Sequence, residues 1–122
     1  MTAHGHPRAT FQRAIERGNL LIAETTLREI GRPTLGELLE LTILIALKDP
    51  RRYPRVSARW LVRYLEAHGE ATIDDAAFAV ACLEAVAGPN NVHAVTALRN
   101  IVERATNGAR FRKGPIDAAD SR

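Results

Sequence analysis

The chain has 122 residues, which is enough for one domain with a substantial core but short for two. Apolar residues make up 46% and charged residues 25%, the balance of a soluble globular protein, whereas aromatic residues make up only 5%. Because β-rich domains depend on aromatic and β-branched residues, so low an aromatic content favours helices over strands. The net charge of +3 permits an anionic partner without requiring one, and a single cysteine excludes an internal disulfide and a cysteine zinc site.

Hydrophobic spacing and turn residues predict three helices in the first part of the chain. Gly18 and Gly31 are placed to end the first two, and Pro33 prevents the second from continuing. The predicted helices are Pro7–Arg17, Leu20–Ile30 and Leu35–Lys48. The side chains expected to face the core from the first two are Phe11, Ala14, Ile15, Leu20, Ala23, Leu27 and Ile30.

Residues 35–47 form the most apolar stretch of the chain, and their apolar side chains point in nearly every direction around a helix. We therefore expect this helix to be covered on all sides. Thr34 and Glu37 predict a capping box at its start. The stretch is too short and too charged near its start to span a bilayer.

Three further helices follow the turn 49–54. The fourth is predicted at 54–67, the fifth has its first turn at Asp74 and Asp75 and its body at 76–87, and the sixth runs from Asn90 or Asn91 to 107. Thr72 would cap the fifth, which is small and apolar and is predicted to be a second buried helix. The sixth would bury Val95, Leu98, Ile101, Val102 and Ala105. The predicted fold is all-α, a compact array of about six helices in three antiparallel hairpins. It occupies 7–107 as a single domain, with 1–6 and 108–122 as flexible tails.

The even-numbered helices share a spacing in which a small residue precedes a leucine by four positions and an arginine follows. The leucines are Leu27, Leu61 and Leu98. This spacing resembles the αα-hairpin repeats of the tetratricopeptide and HEAT classes, and the resemblance implies a helical-repeat architecture and a role in protein–protein interaction. The same spacings would also arise in a six-helix domain with short loops and no true repeat.

The most unusual surface candidate is segment 51–64, which is rich in arginine and aromatic residues and contains no acid. Residues 55, 59 and 63 would form one basic stripe on a helix, and arginine matches carboxylates and phosphates with a planar fork. Aromatic residues beside it could anchor a protein or stack on bases. The candidate partner-binding residues are Arg51, Arg52, Tyr53, Arg55, Arg59, Trp60 and Arg63.

Two readings of this segment remain open. In one, it binds an acidic or mixed protein partner, with self-association as one form, and Trp60→Ala abolishes binding. In the other, Trp60 and Tyr64 face the core and the arginines are solvated or pair with acids of the same chain. Nucleic-acid binding, with help from the basic cluster 110–113, is the alternative function.

The sequence contains no arrangement typical of a catalytic site, so we predict a non-enzymatic interaction module without cofactor or metal. His68 and His93 are expected at the surface, and Cys82 is expected to be an inert core thiol. His4 and His6 could chelate a metal, although chance explains the pair better. No apolar run follows the opening residues, so we expect neither a secretory signal nor a membrane anchor and predict a bacterial cytoplasmic protein without membrane contact.

Overall fold

The computed structural model describes the backbone of residues 6–113 and the side chains of residues 6–108. Over that range the chain is all-α, which confirms the predicted fold class. The six helices are α1 (Pro7–Arg17), α2 (Leu20–Ile30), α3 (Leu35–Lys48), α4 (Tyr53–Ala67), α5 (Ile73–Val86) and α6 (Asn91–Lys113), and a 3₁₀ helix (Pro50–Arg52) precedes α4. Within this range, no helix combines the length and the apolarity that crossing a membrane requires.

The packing divides the chain into two compact units, Met1–Trp60 and Leu61–Arg122. The extent of a single domain at 7–107 stays a prediction, as does the helical-repeat architecture. The predicted flexible tails fall largely on residues 1–5 and 114–122, which lie outside the described range.

The first unit is built on a hairpin of α1 and α2 that packs against α3. Gly18 ends α1 in the left-handed conformation with φ 70° and donates its backbone N–H to Ala14 and Ile15. The core contains Phe11, Ala14, Ala23 and Leu44, with Ile15, Leu20, Leu27, Ile30 and Leu41 packed against it. The core residues predicted from the spacing of the first two helices are therefore confirmed.

The start of α3 is fixed by the predicted capping box. Thr34 accepts a hydrogen bond from the Glu37 backbone at 3.0 Å, and the Glu37 carboxylate accepts one from the Thr34 backbone at 2.8 Å. The same carboxylate binds Arg8 Nε at 2.8 Å, which ties α1 to this end of α3. The expected all-round coverage is only partly correct, because Leu47 in the last turn is 71% exposed.

The second unit contains the hairpin of α5 and α6. Thr72 caps the start of α5, as predicted, and Asp75 completes a second capping box that was not predicted. The prediction that α5 is a buried helix is wrong. It buries Ala79, Cys82, Leu83 and Val86 on one side and exposes its other side, where Ile73 is 87% and Phe78 50% accessible.

The last helix begins at Asn91 and buries Ala94, Leu98, Ile101, Val102 and Ala105. Leu98, Ile101, Val102 and Ala105 were predicted, and Val95 is only partly buried. The helix continues to Lys113, beyond the end predicted at Gly108. A glycine inside a helix costs only about 1 kcal/mol, so without a following proline it does not enforce a stop.

Candidate functional site

The junction between α3 and α4 places residues 51–60 of the arginine-rich segment in the first unit. Asp49 ends α3, and its carbonyl accepts a hydrogen bond from the Arg52 backbone at 3.0 Å. The 3₁₀ helix then leads directly into α4, which starts at Tyr53, one residue before the predicted start. Pro54 lies in the first turn of α4, where its missing N–H breaks no helical hydrogen bond.

Arg52 is held in place by acids of its own unit. Its guanidinium binds the Glu24 carboxylate of α2 and lies 3.5 Å from Asp49 Oδ2. Hydrogen bonding to Glu24 raises the pKa of Arg52 above its already high ordinary value, with burial acting in the opposite direction. Arg52 therefore links the junction between α3 and α4 to α2.

The three arginines Arg51, Arg55 and Arg59 are exposed and follow one another at four-residue intervals. Among the described residues, none of the three takes part in an ion pair. Together with Arg52, Pro54 and Val56 they line an open depression of about 590 Å³. We call Arg51, Arg55 and Arg59 the arginine surface; it presents three cations that form no ion pair with the described residues.

The aromatic residues of the segment do not belong to this surface. Trp60 is only 2% exposed, and its indole Nε1 donates a hydrogen bond to the backbone oxygen of Leu35, at the start of α3, at 3.1 Å. Tyr53 is also buried, and burial raises its pKa to about 12. The interpretation of Tyr53 and Trp60 as exposed aromatic anchors is therefore wrong, because both rings are packed in the core. Of the two readings of Trp60 and Tyr64, the buried one is observed.

Arg63, the remaining candidate, is exposed and lies in the second unit. The structure thus brings together Arg51, Arg55 and Arg59, holds Arg52 beside them through acids, and turns Tyr53 and Trp60 inward.

A second cluster, which the sequence did not reveal, surrounds His68 at the end of α4. The prediction that His68 is a surface residue is only partly correct, since its side chain is 24% exposed. Its ring lies against Tyr64, with centroids 5.7 Å apart, and its Nε2 is 3.9 Å from Asp75 Oδ2. Nδ1 is buried without a hydrogen-bond partner among the described residues. His93 is exposed, as predicted.

The electrostatics of this cluster follow from the capping box. The pKa of Asp75 is lowered, first because the Thr72 backbone N–H donates to its carboxylate at 2.9 Å, and further by His68 and Arg104. The pKa of Tyr64 is raised, mainly by burial and then by the charge of Asp75. These groups line a small depression of about 260 Å³ with Phe78, Ile101 and Ala105. The sequence shows that Tyr64 and His68 are four residues apart and that Thr72 and Asp75 have the spacing of a capping box. It does not show that His68 lies close to Asp75.

The described residues form neither a metal-binding site nor a site with a reactive thiol. Residues 6–108 contain no group of three or more His, Cys, Asp and Glu side chains placed to hold a metal ion. The chelating pair considered at His4 and His6 falls partly on residues 1–5, outside that range. Cys82 is buried, as predicted, and burial raises its pKa, which disfavours the reactive thiolate.

Comparisons of the chain with protein-family models, curated proteins and solved structures gave no match.

Proposed function

We propose that this protein is a non-enzymatic interaction module that binds an acidic protein surface through the arginine surface. The observation that carries the proposal is the exposure of Arg51, Arg55 and Arg59 around one open depression, without acids of the described chain to neutralise them. Arginine is the side chain best suited to bidentate contacts with carboxylates.

The support beneath these arginines favours a preorganised surface over a mobile one. Arg52 anchors the junction to α2, and buried Trp60 fixes α4 to the start of α3. A binding surface on rigid elements loses less conformational entropy on association. Pro54 and Val56 add apolar contact area among the charges.

Nucleic-acid binding is the competing function, and the burial of the aromatic residues weighs against it. Single-stranded nucleic acids bind proteins by stacking bases on exposed rings, whereas Tyr53 and Trp60 have their rings in the core. Contacts of the arginines with phosphates would remain as a sequence-independent mode. The basic cluster 110–113 that was expected to assist lies beyond the described side chains.

A cytoplasmic location belongs to the same proposal. It is supported by the single, buried, free cysteine, which suits a reducing compartment.

The test is fluorescence anisotropy with a labelled peptide of Glu and Leu residues. We expect the Arg55→Gln/Arg59→Gln variant to bind about tenfold more weakly than the wild type, since two charge-assisted contacts are lost. The matched control is Arg13→Gln/Arg17→Gln, which removes two exposed α1 arginines, also four residues apart. An equal loss in both variants would mean that only net charge matters.

A labelled DNA duplex, titrated in parallel, decides between the two functions. Nucleic acid replaces protein as the partner if the duplex binds more tightly than the peptide and if two further results hold. The affinity for the duplex must fall steeply with salt, and it must fall when Arg55 and Arg59 are replaced.

A further inference from the structure

The outer side of α5 is an apolar face that is exposed among the described residues. Helical geometry places positions 73, 77, 80, 81 and 84 on one side of this helix and the buried residues on the other. The residues of the outer face are exposed: Ile73, Ala77, Val80, Ala81 and Glu84, with Phe78 at its edge. An exposed helix face of Ile, Val and Ala is typical of a docking surface rather than of a solvated one.

The charge of α5 restricts what can cover this face. The helix carries the acids Asp74, Asp75 and Glu84 and contains no lysine or arginine. Asp74 and Glu84 are exposed near opposite ends of the face. A second α5 is a poor occupant, because a parallel pair sets Asp74 against Asp74 and an antiparallel pair sets Asp74 against Glu84. Juxtaposed like charges oppose association, so this face favours a basic occupant over an acidic one.

The arginine surface of this same chain has the required chemistry. At about 1.5 Å per helical residue, the cations of the arginine surface extend over roughly 12 Å along the helical axis. On the same basis, Asp74 and Glu84 lie roughly 15 Å apart along α5. Pro54 and Val56 offer apolar area beside the arginines. Each surface thus has the opposite charge to the other and a comparable length.

We infer that the outer face of α5 in one molecule docks on the arginine surface of a second copy. This inference rests on the proposed function, since it names the acidic partner of the arginine surface. The contact joins two different patches, so it is heterologous and generates rings or open chains of copies. A single helix face buries a small area, and association is accordingly weak and transient.

Sedimentation velocity over a concentration series tests the inference on the full chain. The wild type should self-associate at about 50 mM salt and less at about 300 mM, because screening shortens the reach of the charges. Arg55→Gln/Arg59→Gln, which alters the arginine surface, and Ala77→Arg, which places a cation at an exposed α5 position, should each raise the dissociation constant about tenfold. Arg13→Gln/Arg17→Gln should associate as the wild type does.

The decisive arm mixes the two altered proteins. The first variant keeps an intact α5 face and the second keeps an intact arginine surface, so the mixture should form a one-to-one complex that neither forms alone. Self-association as strong in both variants as in the wild type, or a mixture that associates no more tightly than either variant alone, overturns the inference.

The peptide titration keeps this result separate from the proposed function. If the wild type is monomeric at every concentration and still binds the acidic peptide through Arg55 and Arg59, the self-docking inference is wrong and the proposed function stands. If the chain neither self-associates nor binds the peptide, both are wrong.

Discussion

Replacement of Trp60 separates a structural role from a binding role. The indole is buried and donates a hydrogen bond to the Leu35 backbone, so truncation removes both packing and a polar contact. Truncating a buried tryptophan to alanine costs about 3–5 kcal/mol. Since the whole stability of a domain is about 5–15 kcal/mol, Trp60→Ala is expected to leave a marginally folded protein.

Trp60→Phe is the more informative change because it keeps an aromatic ring in the core. It loses the hydrogen bond, worth about 0.5–1.5 kcal/mol, and leaves a small cavity, so we expect a loss of about 1–3 kcal/mol. Urea unfolding followed by far-UV circular dichroism measures it, since the variant removes the only tryptophan of the chain. The affinity of the folded variant for the acidic peptide should stay within about twofold of the wild type.

The refuting result is a Trp60→Phe protein of wild-type stability that no longer binds the peptide. That outcome would place the indole in the interface and contradict its burial against α3.

Three further predictions concern local features of the fold. Thr72→Ala removes the α5 cap and should cost about 1 kcal/mol in urea unfolding, whereas Thr96→Ala, at an exposed α6 position, should stay within about 0.5 kcal/mol. Gly18→Ala should cost about 1–2 kcal/mol in thermal unfolding because φ is +70°, while Gly69→Ala, whose φ is not in the left-handed region, should be neutral or stabilising. The carboxylate of Asp75 has a folded-state pKa below its unfolded pKa of about 3.9. Its contribution to folding stability is therefore present above the unfolded pKa and is lost as the pH falls through the folded-state pKa. Asp75→Asn should therefore show a shallower loss of stability in acid, measured as the urea midpoint between about pH 6 and pH 2.

Each of these predictions has a clear contrary outcome. Equal losses for Thr72→Ala and Thr96→Ala would mean that the cap is not stabilising. A neutral Gly18→Ala would contradict the left-handed end of α1. An acid transition unchanged by Asp75→Asn would mean that other carboxylates govern it.

Local signals in the sequence were sufficient for the helices and for the core of the first unit. Glycine at position 18 and the Thr34–Glu37 pair act within one turn, so their consequences are fixed by neighbouring residues. Three- and four-residue apolar spacing likewise identified Phe11, Ala23 and their neighbours, because an amphipathic helix has one face to bury.

The environment of α5 could not be predicted in the same way. Its composition is apolar all round, and periodicity does not distinguish a helix covered on every side from one with an uncovered apolar face. Alanine adds to the difficulty, since exposing its small side chain costs little. The exposed Ile73 and Phe78 therefore emerged only from the tertiary structure.

The arginine-rich segment was found from its composition, but the roles within it depend on distant residues. Arg52 is distinguished from Arg51 by Glu24, which lies 28 residues away in the sequence. Trp60 is turned inward by contact with Leu35, 25 residues away. No pattern within 51–64 predicts the contact with Glu24 or the contact with Leu35. The candidate binding residues therefore included both exposed arginines and aromatic residues of the core.

An NMR titration with the acidic peptide identifies the side chains that contact the ligand. The arginine Nε–Hε signals and backbone amides report which side chains meet the ligand. We predict saturable shifts of the signals of Arg51, Arg55 and Arg59, with those of Arg13 and Arg17 unchanged. Shifts spread over all exposed arginines, or confined to a site away from 51–59, would contradict the assignment of the arginine surface as the binding surface.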